Sequence, residues 1–286
     1  MKLYYEGSEG TIIDLMGEGI YAQSPETLIS HGWNYSSISG VNGLGKIKRF
    51  YKDTEEKSLL LDIMVENKQA FDELMYHLHQ TFDRDVRKMK PGKLWWNDFY
   101  KEVFVVDNKH AEFEELFESI QKEITFVSVY PYWVRENKYV YDSLTTVSGD
   151  LDYGEEEHYA GFDYDAESFD FVIAELIESI ENDCINDANF EITFYGAASN
   201  PAIIIGTNEY RIFGDIANGE YIKINSVKKT ITRHAIDGTE ENIFHLRDKD
   251  HYIFQKIPEG LHGVTKTNSL GVDVVLFDER GEPEWI

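Results

Sequence analysis

Phe190-Glu191-Ile192-Thr193-Phe194-Tyr195-Gly196 is the stretch that decides the fold. It is dominated by aromatic and β-branched residues and closed by a glycine, as a strand running into a turn would be. The same pattern continues downstream. Residues 202–205, 210–213, 220–224, 230–234, 252–254 and 272–277 are strand candidates, divided by Asn218-Gly219, Asp237-Gly238 and Pro258-Glu259-Gly260. Many short strands at this spacing predict a β-sandwich or barrel.

Upstream the reading is mixed. Short β-prone runs at 3–5, 11–13 and 19–22 are broken by Gly-Ser-Glu-Gly and Gly-Glu-Gly. Residues 46–51 and 57–65 read as two strands, and Lys52-Asp53-Thr54-Glu55-Glu56 between them suggests a hairpin. A helix follows. Asn67 is placed to cap it, and Phe71, Leu74, Met75, Leu78, Phe82, Val86 and Met89 recur at spacings of three and four. Pro91-Gly92 stops it. Residues 94–106 then predict a second hairpin. Phe113, Leu116, Phe117 and Ile120 predict a short second helix, and residues 124–133 a strand whose Pro131 suggests an edge or an exit. Residues 168–182 carry a helical face of Phe169, Val172, Ile173, Leu176, Ile177 and Ile180.

Composition narrows the class of function. The 286 residues carry a net charge of −26, unevenly spread. Residues 1–138 hold 17 Lys/Arg against 23 Asp/Glu, and residues 211–286 hold 10 against 13. Residues 139–210 hold 17 Asp/Glu and no Lys or Arg. This balance argues against nucleic-acid binding and against docking on anionic membranes, both of which need clustered cations. The single cysteine, Cys184, leaves no intrachain disulfide. No apolar run approaches the roughly 20 residues of a membrane span, and the N-terminus lacks a signal-peptide core, so the chain reads as made and folded in a cytosol. Tyr and Phe are abundant, at 18 and 17, and suit both strands and protein interfaces.

Motifs for chemistry are weak. Gly40-Val41-Asn42-Gly43-Leu44-Gly45 lacks the Lys-Ser/Thr of a phosphate loop and reads as a flexible or interface loop. His77 and His79 project about 200° apart around a helix and do not suit one metal. The acidic run Glu155-Glu156-Glu157, with Asp150, Asp152, Asp163 and Asp165, offers oxygen ligands but not the spacing of a calcium loop. It reads as a solvated loop or a face for a basic partner. No nucleophile elbow is present, no carboxylate pair stands out, and Cys184 has no cationic neighbour to activate it. Trp133 and Trp285 are candidates for stacking on sugars, with core or interface packing the plainer reading. The expectation is therefore a non-enzyme with no catalytic, cofactor-binding or metal residue to single out, and no cofactor.

Several segments, taken in order, carry a resemblance. They are Ile47-Lys48-Arg49-Phe50-Tyr51, the helix around 71–89, Pro91-Gly92-Lys93-Leu94-Trp95 and Ile124-Thr125-Phe126-Val127-Ser128-Val129-Tyr130-Pro131-Tyr132-Trp133. In the second half come the 190–196 strand, Asn200-Pro201, Glu220-Tyr221-Ile222-Lys223-Ile224-Asn225-Ser226 and Lys229-Thr230-Ile231-Thr232. Asp237-Gly238-Thr239, Asn242-Ile243-Phe244, Ile257-Pro258-Glu259-Gly260 and Glu279-Arg280-Gly281-Glu282-Pro283-Glu284-Trp285 complete the series. Together they resemble the distal tail proteins of long-tailed phages, the siphovirus tail component family. The resemblance implies a mainly β fold: an N-terminal β-barrel-like domain with one or two helices over 1–133, and a galectin-like β-sandwich over 134–286. It also casts doubt on a helix at 168–182. It implies a homohexameric baseplate hub at the virion tail tip. The expected partners are the tail tube protein, the tape measure protein, the tail lysin or spike hub and receptor-binding proteins. The competing reading is a carbohydrate-binding adsorption protein that recognises host cell-wall glycans.

Overall fold

The computed structural model describes residues 1–40, 44–113, 119–142, 178–267 and 270–284. The chain is mainly β and divides into two compact units. One comprises Met1–Glu136 with Phe277–Ile286, the other Asn137–Leu276.

In chain order the first unit contains β1 (Leu3–Glu6), β2 (Ile12–Asp14), β3 (Ile20–Gln23), β4 (Asn34–Ser39), β5 (Gly45–Tyr51) and β6 (Glu55–Met64). Then come α1 (Lys68–Lys88), β7 (Gly92–Trp96), β8 (Phe99–Phe113), β9 (Ser119–Ser128) and β10 (Trp133–Tyr141), which runs on into the second unit. Two antiparallel ladders, β8-β7-β1-β2 and β8-β9-β6-β3, share β8. Its first residues pair with β7, and from Phe104 onward it pairs with β9 through two register shifts. A long bulged strand of this kind turns the corner of a barrel-like pair of sheets. Burial alternates along β7 as the pleat requires, with Gly92, Leu94 and Trp96 inward.

The helix forms where expected. Asn67 accepts a hydrogen bond from the Ala70 amide, and Met89 closes the helix in a left-handed conformation. Met75, Leu78 and Phe82 bury one face in a core with Leu3, Tyr5, Leu61, Trp96 and Phe126, while Val86 and Met89 face outward. Beside Phe82 the buried Asp85 carboxylate accepts from Tyr5 Oη at 2.6 Å, from the Ser8 amide at 3.0 Å and from Ser8 Oγ at 2.5 Å. Gly92, read from sequence as a helix stop, has a second reason. A Cβ there would lie 2.2 Å from Tyr5 Oη.

The second unit contains β11 (Glu178–Asn182), β12 (Asn189–Tyr195), β13 (Ala198–Ser199), β14 (Ala202–Ile205), β15 (Asn208–Arg211) and β16 (Asp215–Ile216). They are followed by β17 (Tyr221–Asn225), β18 (Thr230–His234), β19 (Glu240–Asn242), β20 (Gly260–Lys266) and β21 (Gly271–Arg280), whose end belongs to the first unit. One sheet runs β19-β18-β17-β12-β21, another β11-β20-β14-β15. Ile192, Phe194, Ile222 and Ile224 from the first meet Ile180, Ile203, Ile205 and Tyr210 from the second in one core, so this unit is a β-sandwich. Phe190 and Tyr210 join the sheets edge to face at 5.0 Å.

Several expectations are corrected. The 46–51 and 57–65 strands exist but do not pair with each other. β5 pairs with β4, and β6 with β3 and β9. Phe113 and Ile120 are strand residues paired across β8 and β9, so they are not helical, and residues 114–118 lie outside the described residues. Of the helix expected over 168–182, residues 168–177 lie outside the described residues, and 178–182 form strand β11, paired with β20. The stretch 252–254 is a turn with Ile253 and Phe254 buried, not a strand. The strand expected over 124–133 ends at Ser128, and Trp133 opens β10.

Lys122 of β9 gives a stability prediction. Its side chain is fully buried and Nζ donates to His79 Nε2 at 3.2 Å. Burial pushes its pKa down to about 8. The unfolded value is about 10.4, so between those pH values the unfolded chain holds a proton that the folded one has released. Stability from this group therefore rises as pH climbs through the window. Lys122→Met is expected to unfold later in urea at pH 7, by roughly 1–3 kcal/mol, with the gap closing near pH 10. A destabilised variant at pH 7 would show that the ammonium is needed.

Candidate assembly surface

The sequence 33–52 folds into a part of the molecule unlike the rest. β4 and β5 form a two-stranded sheet and pair, among the described residues, only with each other. The Gly40 amide donates to the Leu44 carbonyl at 2.9 Å near the tip, and residues 41–43 lie outside the described residues. The stretch read as a poor phosphate site leads into strand β5, where a phosphate loop would lead into a helix.

An isolated two-stranded hairpin is marginal in water, and this one is exposed along nearly its whole length. Tyr35, Ile38, Leu44, Ile47 and Phe50 are 50–77% exposed. Three cations, Lys46, Lys48 and Arg49, stand on β5 with no acid among them. Both outer edges carry backbone groups that a further strand could pair. At the base the hairpin is clasped to the first unit. Lys52 Nζ donates to the Pro131 carbonyl at 3.2 Å and sits over the Trp33 and Tyr132 rings, at 5.4 and 4.9 Å. Desolvation lowers the Lys52 pKa. Asn34 Nδ2 donates to Asp53 at 2.8 Å. The arrangement is an anchored stem carrying an apolar, basic, open-edged ribbon, which is suited to contact with another chain.

The other sequence-flagged residues are not brought together. His79 contacts Lys122 and Asn108, while exposed His77 offers its backbone carbonyl to Thr81. Cys184 is buried. Trp133 is fully buried under Lys101 Nζ, 4.8 Å from its ring, so it packs and does not stack on sugar. Residues 150–165 and Trp285 lie outside the described residues. Sequence reading missed the exposed face of β4 and β5, although its signal was present: apolar and basic residues mixed without an alternating pattern.

No protein family matches the chain, and no curated protein does. Solved structures do. The baseplate of phage P2 in its activated conformation with Ca aligns at a TM-score of 0.62 and 17% identity, over 99% of this chain and 98% of that one. The Dit protein of SPP1, described as a paradigm of the hub adsorption apparatus in phages infecting Gram-positive bacteria, aligns at 0.54 and 10%, over 97% and 98%. The chain shares its fold with phage baseplate and hub proteins. The P2 baseplate with Sr gives a TM-score of 0.61 at 16% identity, again over 99% and 98%. The likeness therefore extends through both units at sequence identities too low to carry residue-level signals. Among the described residues, no helix is long and apolar enough to cross a membrane.

Proposed function

We propose that this chain is a structural virion protein, a subunit of a homohexameric hub at the tail tip of a long-tailed phage. In this reading the ring-forming domain is residues 1–133 and the galectin-like domain is residues 134–286. The hub joins the tail tube and tape measure protein to the tail lysin or spike hub and to receptor-binding proteins, and it has no enzymatic activity. The observation that carries the reading is the likeness to baseplate and hub proteins over essentially the full length of both chains.

The exposed hairpin supports it. A ring needs head-to-tail contacts in which two different patches meet. A basic, apolar ribbon on a chain of net charge −26 finds complementary charge on a second copy. Native mass measurement and negative-stain imaging of the full chain test the reading. A six-fold ring is expected, and Ile47→Asp with Phe50→Asp should yield monomers that keep the parent's circular-dichroism spectrum. A parent that stays monomeric and also fails to join tail-tube or lysin partners would overturn it.

Binding to host cell-wall glycans is a second reading, favoured by one surface. Tyr252 is 60% exposed beside Phe254, and Arg247 covers the Phe244 ring at 4.1 Å. An exposed tyrosine ring next to a second aromatic suits sugar stacking. Binding of the full chain, and its loss in Tyr252→Ala, would separate this role from a purely structural one.

A further inference from the structure

β15 and the loop after the short turn at Phe244–Leu246 are held together by their backbones. The Asp248 amide donates to the Arg211 carbonyl at 3.1 Å, and the Phe213 amide to the Leu246 carbonyl at 2.8 Å. Further along, Asn208 Nδ2 donates to the Tyr252 carbonyl at 3.3 Å and Tyr210 Oη to the Gln255 carbonyl at 2.8 Å. This docking brings Glu209 to Asp248 and His251, which lie about 40 residues further along the chain. Glu209 Oε2 lies 3.8 Å from His251 Nδ1, and Asp248 Oδ2 lies 2.8 Å from it. All three residues offer ligand atoms within 4.8 Å of one another.

The far oxygens of both carboxylates are already engaged. Glu209 Oε1 accepts from Arg211 Nε at 2.9 Å and from Arg211 Nη2, and Asp248 Oδ1 accepts from the Asp250 amide at 3.0 Å. Each carboxylate is thereby oriented with its other oxygen facing the imidazole, the arrangement by which outer partners aim metal ligands. Around a tetrahedral ion with ligands at about 2.0–2.1 Å, ligand atoms sit about 3.3 Å apart. The two imidazole–carboxylate distances bracket that value within about half an ångström.

We propose that Glu209, Asp248 and His251 form a binding site for a divalent transition-metal ion of the zinc, cobalt or nickel class. One nitrogen and two carboxylate oxygens favour such an ion over calcium, which takes six to eight oxygens. Water completes the coordination. Bound metal pins the loop 247–254, and with it the exposed Tyr252, to β15.

Titration of the tag-free full chain with Co2+, followed by visible d–d absorption, tests the site. One saturable Co2+ per chain is expected, displaced by Zn2+ and removed by EDTA, with a raised melting temperature in its presence. His251→Ala should weaken binding at least 10-fold and abolish the band, and His262→Ala should leave both unchanged. Glu209→Gln serves as the second variant if His251→Ala folds poorly, with the same loss expected. The proposal is overturned if the parent shows no saturable binding at millimolar Co2+. It is equally overturned if the band and the affinity survive in a folded His251→Ala or Glu209→Gln protein.

Discussion

Asp85→Ala is expected to lower the unfolding free energy by about 3–4 kcal/mol, read from urea denaturation. The carboxylate is 1% exposed and serves three donors at once, Tyr5 Oη, the Ser8 amide and Ser8 Oγ. Hydrogen bonds to a charged acceptor contribute about 1.5–3 kcal/mol each, and the aspartate's own desolvation offsets part of that sum. Removing it also leaves the Tyr5 hydroxyl with no acceptor in a core that Phe82 and Phe126 close around. The contact ties α1 to β1 and to the turn after it, where Arg84 and Lys88 both reach Glu9 at the surface. Those exposed ion pairs contribute little on their own. Asp85→Asn, which keeps an acceptor for Ser8, should cost only about 1 kcal/mol. Equal losses in the two variants would mean that the negative charge, not the hydrogen-bond geometry, fixes the helix.

What could be read in the sequence follows from which interactions are local. The helix at Lys68–Lys88 was legible because its cap and its inward spacing lie within one element, Asn67 three residues before Ala70 and Met75, Leu78 and Phe82 along one face. The 94–106 hairpin was legible because β7 and β8 meet across a turn at Asn97-Asp98. The hairpin expected between residues 46 and 65 failed for the converse reason. A turn signal marks where the chain bends and leaves the partner strand unspecified, and β6 finds β3 and β9 through the core, not β5 through the turn. Ile180 shared a helical spacing with its neighbours, yet it lies in a strand because β20 supplies a ladder, and tertiary pairing overrides a local period. The Glu209, Asp248 and His251 cluster was invisible because about 40 residues separate Glu209 from the other two, and only the docking of β15 against the later loop brings them together.

Lys101 shows the same limit and carries the last prediction. Strand alternation says nothing of a lysine pointing inward, yet its side chain is 4% exposed, with Nζ 2.5 Å from Glu55 Oε2 and over the Trp133 ring. Burial lowers its pKa although the hydrogen bond and charge of Glu55 act to raise it, so desolvation outweighs the ion pair. Two results follow from that order of effects. Lys101→Met should cost about 3–5 kcal/mol, because Glu55 is left largely buried with Lys57, 3.8 Å away, and the more distant Lys52 to answer its charge. Adding Glu55→Leu should restore most of that loss, to within about 1 kcal/mol of the parent, since methionine keeps contact with the Trp133 face and no charge remains buried. The double-mutant cycle, measured by urea unfolding at pH 7, should therefore give a coupling of at least about 2 kcal/mol. If Lys101→Met alone costs under about 1 kcal/mol, the pair behaves as a solvated surface bridge and the burial argument fails. If the double variant is as unstable as the single, the ion pair is what joins β6 to β8, and apolar packing around Trp133 cannot replace it.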